Sequence, residues 1–439
     1  MMSTQSAGTI GLLAGAGRVP QEITESLARR GYKVHVVALR GSAEDVASWP
    51  VASCDWVGIA EVGGMLASFA RADCREIMIA GGVRRPDLLR VRPDIGFFTN
   101  LPSVLSLTRG GDDHLLRRVI RFFEHKGYIV RGLADLTPDL LADAGALNSL
   151  PSRPSDAQDA LLGRDVLAAF GQLDMGQAAV VIGGSLYALE GAEGTDKLLE
   201  RVASQRAAQT GSSAAVGGTL VKMAKPAQDV RVDLPTIGPK TIENCRRAGL
   251  TAIAVEAGRT VIAERAATLA AADAAGIRLH GILRQPVHAL PVSSDTARPD
   301  TGLCQVTAVG RRHPRTGALR DGWIGISALV QLEPIAGASG VVVSREHVLA
   351  LGINEDLLSF LGRAKNLKQW GDNRRRRRRS GVVVVPRFDN LDRQVVRAAA
   401  GAGLLGIHVA ARQVDIELPR REALGNEADQ HGIFLTSCV

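Results

Sequence analysis

The stretch TIGLLAGAGRVP, residues 9–20, decides the fold class. Thr9 to Ala14 is a short apolar run of strand length, and Gly15-Ala16-Gly17-Arg18 ends it in a tight turn. Ile23 and Leu27 then recur at helical spacing, Gly31 stops the helix, and Val34 to Leu39 reads as the next strand. The same alternation follows with a helix over Gly64 to Arg71 and a strand over Ile77 to Ala80, which runs into Gly81-Gly82-Val83-Arg84-Arg85-Pro86. A further helix is opened by Gly110-Gly111-Asp112-Asp113 and carries Leu115, Leu116, Val119, Ile120 and Phe123 on one face. Strand-helix alternation with fully apolar strands predicts an α/β fold whose N-terminal domain, residues 1–140, is a Rossmann-like, open, mainly parallel sheet.

Outward from there the pattern restarts. A helix near 157–170, strands at Ala178–Ile182 and Leu186–Leu189 around Gly183-Gly184-Ser185, and strands at Thr219–Met223 and Thr251–Val255 predict a second α/β domain over 150–284. Pro286, Pro291, Pro299 and Pro314 mark 285–328 as a linker. Residues 329–439 read as a degenerate copy of the second domain. Val341-Val342-Val343 and Val348 to Gly352 align with Val180-Val181-Ile182 and Tyr187 to Gly191, which sets Leu351 opposite Glu190. Gly381 with Val382–Val385 matches Gly218 with Thr219–Lys222, Ala402–Ile407 matches Ala248–Ile253, and Gly432-Ile433 matches Gly276-Ile277. The apolar scaffold is kept and the polar loops are expected to be lost.

Composition narrows the function classes. Apolar residues form 46% of the 439-residue chain and charged residues 22%, enough for packed cores. Aromatics are 4%, too few for a surface that reads single strands by stacking, so no nucleic-acid partner is expected. The formal charge of +8 comes mostly from the six arginines Arg374–Arg379. That run reads first as a solvated loop and second as a peripheral contact with an anionic membrane surface. Five scattered cysteines without a C-x-x-C pair, no signal peptide and no membrane-length apolar run give a cytoplasmic expectation.

Five polar clusters could carry chemistry. Gly15, Gly17 and Arg18 open a helix whose N-terminus suits an anion, but Pro20 and the Arg40-Gly41 pair depart from a dinucleotide fingerprint. Gly81, Gly82 and Arg85 follow a strand and suit a pyrophosphate; Asp112 and Asp113 are read first as helix N-caps and second as ligands. Glu190, Glu193, Thr195 and Asp196 form an acidic, glycine-rich loop. The densest cluster is KMAKPAQDVRVDLPTIGP, residues 222–239, with Lys222, Lys225, Gln228, Asp229, Arg231, Asp233 and Thr236. Carboxylates there can hold Mg²⁺ or activate water, and the cations can neutralise phosphate. Asp229 and Asp233 converge if the loop turns and diverge if it is extended.

In order, these segments resemble the UDP-2,3-diacylglucosamine pyrophosphatase family of lipid A biosynthesis, in its magnesium-dependent branch unrelated to calcineurin-like phosphoesterases. The EGAEGTD string (190–196) and the QDVRVDLPTIG string (228–238) carry the resemblance, which covers about residues 8–283. It implies hydrolysis of UDP-2,3-diacylglucosamine to UMP and 2,3-diacylglucosamine 1-phosphate, with Mg²⁺ or Mn²⁺ and with Asp229 and Asp233 as catalytic, metal-binding acids. It also implies substrate binding by Gly15, Gly17, Arg18, Gly81, Gly82, Arg85, Asp112, Asp113, Glu190, Glu193, Thr195, Asp196, Lys222, Lys225, Gln228, Arg231 and Thr236. A nucleotide-dependent oxidoreductase and a non-catalytic lipid- or nucleotide-binding protein are the competing readings. The tail beyond 285 is foreign to the resemblance and leaves the oligomeric state open.

Overall fold

A computed structural model describes residues 8–83, 94, 112–173, 175–210, 216–226, 228–284, 306–368, 379–411 and 416–438. By internal contacts the chain divides into two compact units. One comprises Met1–Leu150, Ala227–Glu243 and Val255–Arg284; the other comprises Pro151–Pro226, Asn244–Ala254 and Gln285–Val439.

The first sheet holds β1 (Thr9–Ala14), β2 (Lys33–Leu39), β3 (Ser53–Val57), β4 (Glu76–Ala80) and β5 (Ile129–Val130) in the order β3-β2-β1-β4-β5. All its pairings are parallel, which is the Rossmann-like arrangement expected. Helices α1 (Val19–Arg29), α2 (Val62–Arg71) and α3 (Asp112–His125) cover it, and α4 (Leu133–Leu136) leaves it. Side chains alternate along β1. Ile10, Leu12 and Ala14 join one core with Ile23 and Leu27 of α1, and Leu13 joins the opposite core with Phe69 of α2 and Phe123 of α3. Gly11 lies on the Phe69 side, where a Cβ would stand 2.7 Å from that ring. β3 was not expected: its sequence, SCDWV, alternates polar and apolar residues instead of forming an apolar run.

The next strands are β6 (Gly145–Ala146), β7 (Ala178–Ile182), β8 (Ser185–Leu189), β9 (Thr219–Lys222), β10 (Thr236–Ile237), β11 (Ala252–Glu256), β12 (Val261–Ile262) and β13 (Arg278–Ile282). The second sheet runs β6-β13-β11-β9-β7-β8, and β10 and β12 form a small parallel pair. Its helices are α5 (Pro154–Phe170), α6 (Thr195–Thr210), α7 (Pro239–Arg247) and α8 (Arg265–Ala275). The C-terminal part supplies β14 (Val306–Ala308), α9 (Thr316–Leu332), β15 (Ala338–Ser344), β16 (His347–Ile353), α10 (Leu357–Lys368), β17 (Val382–Val385), α11 (Arg393–Gly401), β18 (Gly406–Val409), α12 (Leu418–Gln430) and β19 (Phe434–Cys438). Its sheet runs β14-β19-β18-β17-β15-β16, which is the second sheet strand for strand.

The copy is deeper than its sequence suggested. Asp159 of α5 accepts the Gly184 N–H at the β7–β8 turn, and Asp321 of α9 accepts the Glu346 N–H at the β15–β16 turn, both at 2.7 Å. Gly163 lets α5 press on Val221, and Gly325 lets α9 press on Val384. Two expectations are corrected. Residues 306–328 are not linker: they hold β14 and most of α9, whose buried face presents Ala318, Asp321, Gly322, Gly325 and Ala328 before its first large apolar residues, Leu329 and Leu332, and so does not announce a helix there. The register is also one residue off. The bulge between Val180 and Val181 matches that between Val342 and Val343, so Gly352, not Leu351, stands opposite Glu190, and Glu193 keeps its counterpart as Glu355.

One buried site has diverged in a compensated way. Ala160 and Ala254 of the first copy correspond to Gly322 and His408 of the second. The His408 ring takes the room, with Nδ1 2.7 Å from Thr436 Oγ1 and Nε2 3.0 Å from Ala318 O, and burial holds its pKa down at about 4. A Cβ on Gly322 would meet the ring at 2.6 Å. The unfolded chain therefore takes up a proton first. Stability should be unaffected by this group above about pH 6.5 and should fall by roughly 3 kcal/mol as pH drops toward 4. Denaturation at pH 7.5 and 5 should show that slope in the wild type and lose it in His408→Ala. Gly322→Ala should cost about 1–3 kcal/mol by overpacking, and the double variant, which rebuilds the Ala160/Ala254 pair, should recover part of both losses.

Candidate active site

In the first unit two glycine turns meet at the carboxyl ends of β1 and β4, where the strand order reverses and open α/β sheets bind ligands. Gly15 N–H donates to Ala80 O at 2.8 Å, Ala16 N–H to Gly82 O at 2.6 Å, and Gly82 N–H to Ala16 O at 2.9 Å. A Cβ on Gly15 would lie 2.5 Å from Gly82 O, and one on Gly81 (φ 91°) would lie 2.7 Å from the Gly15 carbonyl carbon. Only glycine allows this backbone-to-backbone approach. Gly17 (φ 97°) then turns the chain into α1, with Arg18 exposed and hydrogen-bonded to Gln21 and Pro20 in the first turn. Arg85 lies outside the described residues. Asp112 and Asp113 are the first two residues of α3, and their side chains lie outside the described set.

The same unit holds the acidic pair. Val232 N–H and Asp233 N–H both donate to Asp229 O, at 3.2 and 3.1 Å, so the segment turns instead of extending. Val232 packs on the core that contains Leu13 and Phe69, and Leu234 packs on the core that contains Leu12 and Leu27. Asp229 is gripped on both oxygens by Arg231, Nε to Oδ1 at 2.9 Å and Nη2 to Oδ2 at 2.8 Å. Arg231 Nη1 reaches Glu124 of α3 at 2.8 Å, and Arg231 lies over Gly132, where a Cβ would be 3.1 Å from its Cα. The hydrogen bonds from Arg231 hold the Asp229 carboxyl below the usual carboxylate range. Thr236 Oγ1 donates to Leu234 O at 3.2 Å, and Gln228 is buried. Glu124 was not foreseen; nothing in the α3 sequence separates it from other surface acids far from residue 231.

In the second unit Glu190 ends β8 in a buried position, accepting the Gln177 N–H at 3.2 Å and facing Thr195 Oγ1 at 3.4 Å. Burial pushes its carboxyl pKa up, against the pull of Lys222. Lys222 is the buried last residue of β9, and Lys225 follows it closely. Glu193 is taken up by Arg201 at 2.8 Å, and Asp196 in the first turn of α6 accepts from Asn244 Nδ2 at 3.0 Å. Arg201 and Asn244 were not foreseen either. Among the described residues no three His, Cys, Asp or Glu side chains are grouped as a metal site.

Comparison with known proteins gives both stretches one family. Residues 9–140 match the family model of the LpxI N-terminal domain and residues 143–280 that of the LpxI C-terminal domain. The chain belongs to the LpxI family. It is 38% identical over 274 residues to the UDP-2,3-diacylglucosamine pyrophosphatase LpxI of Caulobacter vibrioides, a match that spans 62% of this chain and 97% of that relative. LpxI membership sets aside the oxidoreductase and the non-catalytic readings. It agrees with the structure at the second strand, where Arg40 occupies the place a dinucleotide fold gives to a ribose-binding acid and pairs with Glu61. The LpxI match ends near residue 280, so the repeat lies outside it. Because Arg231 sets the ionisation of Asp229, Arg231→Ala should bring the Asp229 pKa up toward the ordinary value of about 3.9, read by carboxyl-carbon NMR titration. An unchanged pKa would show that another group holds it.

Proposed function

We propose that this chain catalyses the reaction named for its relative, hydrolysis of UDP-2,3-diacylglucosamine to UMP and 2,3-diacylglucosamine 1-phosphate. Water attacks the α-phosphorus, the bond from that phosphorus to the bridging oxygen breaks, and the lipid phosphate leaves. The observation that carries the reading is the match across both LpxI domains, within which the Asp229–Arg231–Glu124 arrangement lies.

The chain's own residues supply charge control. The N-terminus of α1, entered through Gly17, offers the backbone N–H groups of its first turn to an anion. An ionised carboxylate of the Asp229–Asp233 turn takes the proton of the attacking water. Two carboxylates on one turn, together with substrate phosphate oxygens, suit the way Mg²⁺ is commonly held, and the ion would neutralise charge on the phosphates. The substrate's acyl chains favour work at a lipid surface, with Arg374–Arg379 as the contact with anionic headgroups. Among the described residues no helix is long and apolar enough to cross a membrane.

The test is UMP release from UDP-2,3-diacylglucosamine with Mg²⁺ present. Asp229→Ala and Asp233→Ala should each lower kcat by roughly 10²-fold or more while the fold is retained, because a carboxylate serving the reacting phosphate acts mainly in the transition state. Near-normal rates in both variants would remove the acidic pair from the mechanism.

A further inference from the structure

Within the second unit the two copies meet around an approximate two-fold relation. Ala192 N–H donates to Leu349 O at 3.0 Å, and Asn354 Nδ2 donates to Tyr187 O at 2.9 Å. In the corrected register Ala192 corresponds to Asn354 and Tyr187 to Leu349, so the contact is reciprocal, as in an isologous dimer. Gly191 is pressed so closely that a Cβ would lie 2.5 Å from Leu349 O.

The charges at this junction are paired in the same way. Arg201 donates to Leu189 O at 3.0 Å and to Glu193 at 2.8 Å. Its counterpart Arg363 donates to Leu351 O at 2.7 Å and to Glu355. Arg363 also crosses to Glu193 at 3.5 Å. Two arginines and two glutamates are thus enclosed, with the Glu193 side chain only 5% exposed. A buried quartet of zero net charge fixes geometry, since moving one member leaves another uncompensated. What it fixes is the loop from Glu190 to Asp196.

We infer that the C-terminal repeat serves as an internal second subunit which holds the Glu190–Asp196 loop in its substrate-binding form, with Arg363 and the Leu349 carbonyl as positioning groups. This rests on the reading that the loop contacts the UDP-lipid. Glu193 then acts as the loop's buried anchor, and Glu190, Thr195 and Asp196 face the task of binding.

The test compares full-length wild type with Arg363→Met, Arg363→Lys and Asn354→Ala. Hydrogen exchange at the Ala192 amide is measured without substrate, and KM and kcat are measured for UMP release. Arg363→Met should speed Ala192 exchange and raise KM by roughly tenfold with kcat changed less than about threefold; Arg363→Lys should restore most of both. Asn354→Ala, which leaves the buried charges in place, should shift both quantities the same way by less, and it carries the test if Arg363→Met does not fold. Fast Ala192 exchange in the wild type overturns the inference, as does fast exchange in a variant whose KM is unchanged. A wild type that releases no UMP overturns the reading of the reaction instead, and the exchange comparison still decides whether the repeat anchors the loop.

Discussion

The closest constraint in the first unit is steric: two backbone turns occupy a space that excludes any side chain. Gly15 and Gly81 face each other so tightly that a methyl group on either would overlap the other's main chain. The contact closes the ends of β1 and β4 into one platform of N–H groups and carbonyls, from which α1 departs. The Asp229–Asp233 turn reaches the same sheet by sending Val232 into one core and Leu234 into the other, so its backbone is located by apolar burial, and its carboxylates are left to electrostatics.

Electrostatics divides the acids by environment. Asp229 is kept ionised by a two-pronged guanidinium that Glu124 in turn steadies. Glu190 lies in a setting that penalises its charge, with Lys222 as the main compensation. Two carboxyl groups of similar intrinsic acidity are thus shifted in opposite directions by opposite causes, a paired guanidinium in one unit and burial in the other.

Much of this was legible in the chain itself. Apolar runs such as Leu12-Leu13, Val34–Leu39 and Val382–Val385 announce buried strands because no polar face interrupts them. The family strings point to the family because their spacing of acids, cations and glycines is specific, although several of those side chains also hold the loops in place. Hidden were features whose partners lie far away in sequence, such as Glu124 beside Arg231, and features built of small residues, such as α9. The valine run 341–343 contains no landmark, so its register slipped by one until the bulge at Val342/Val343 supplied one. That single step concealed the most telling survivals of the repeat, Glu355 and Arg363.

Joining two related folds in one chain changes what evolution can do at their junction. In an association of identical chains each substitution on the axis appears twice and meets itself, so a charge there cannot be altered on one side alone. Here Arg201 and Arg363 are separate residues encoded by separate codons. The second copy can carry Gly322 and His408 where the first has an alanine pair, or Gly352 where the first has Glu190, without altering the first. The tether also makes the pairing independent of protein concentration, since the partner is always present at the high effective concentration of a linked segment. A loop held by such a partner keeps its shape in a dilute cell as well as in a crowded one.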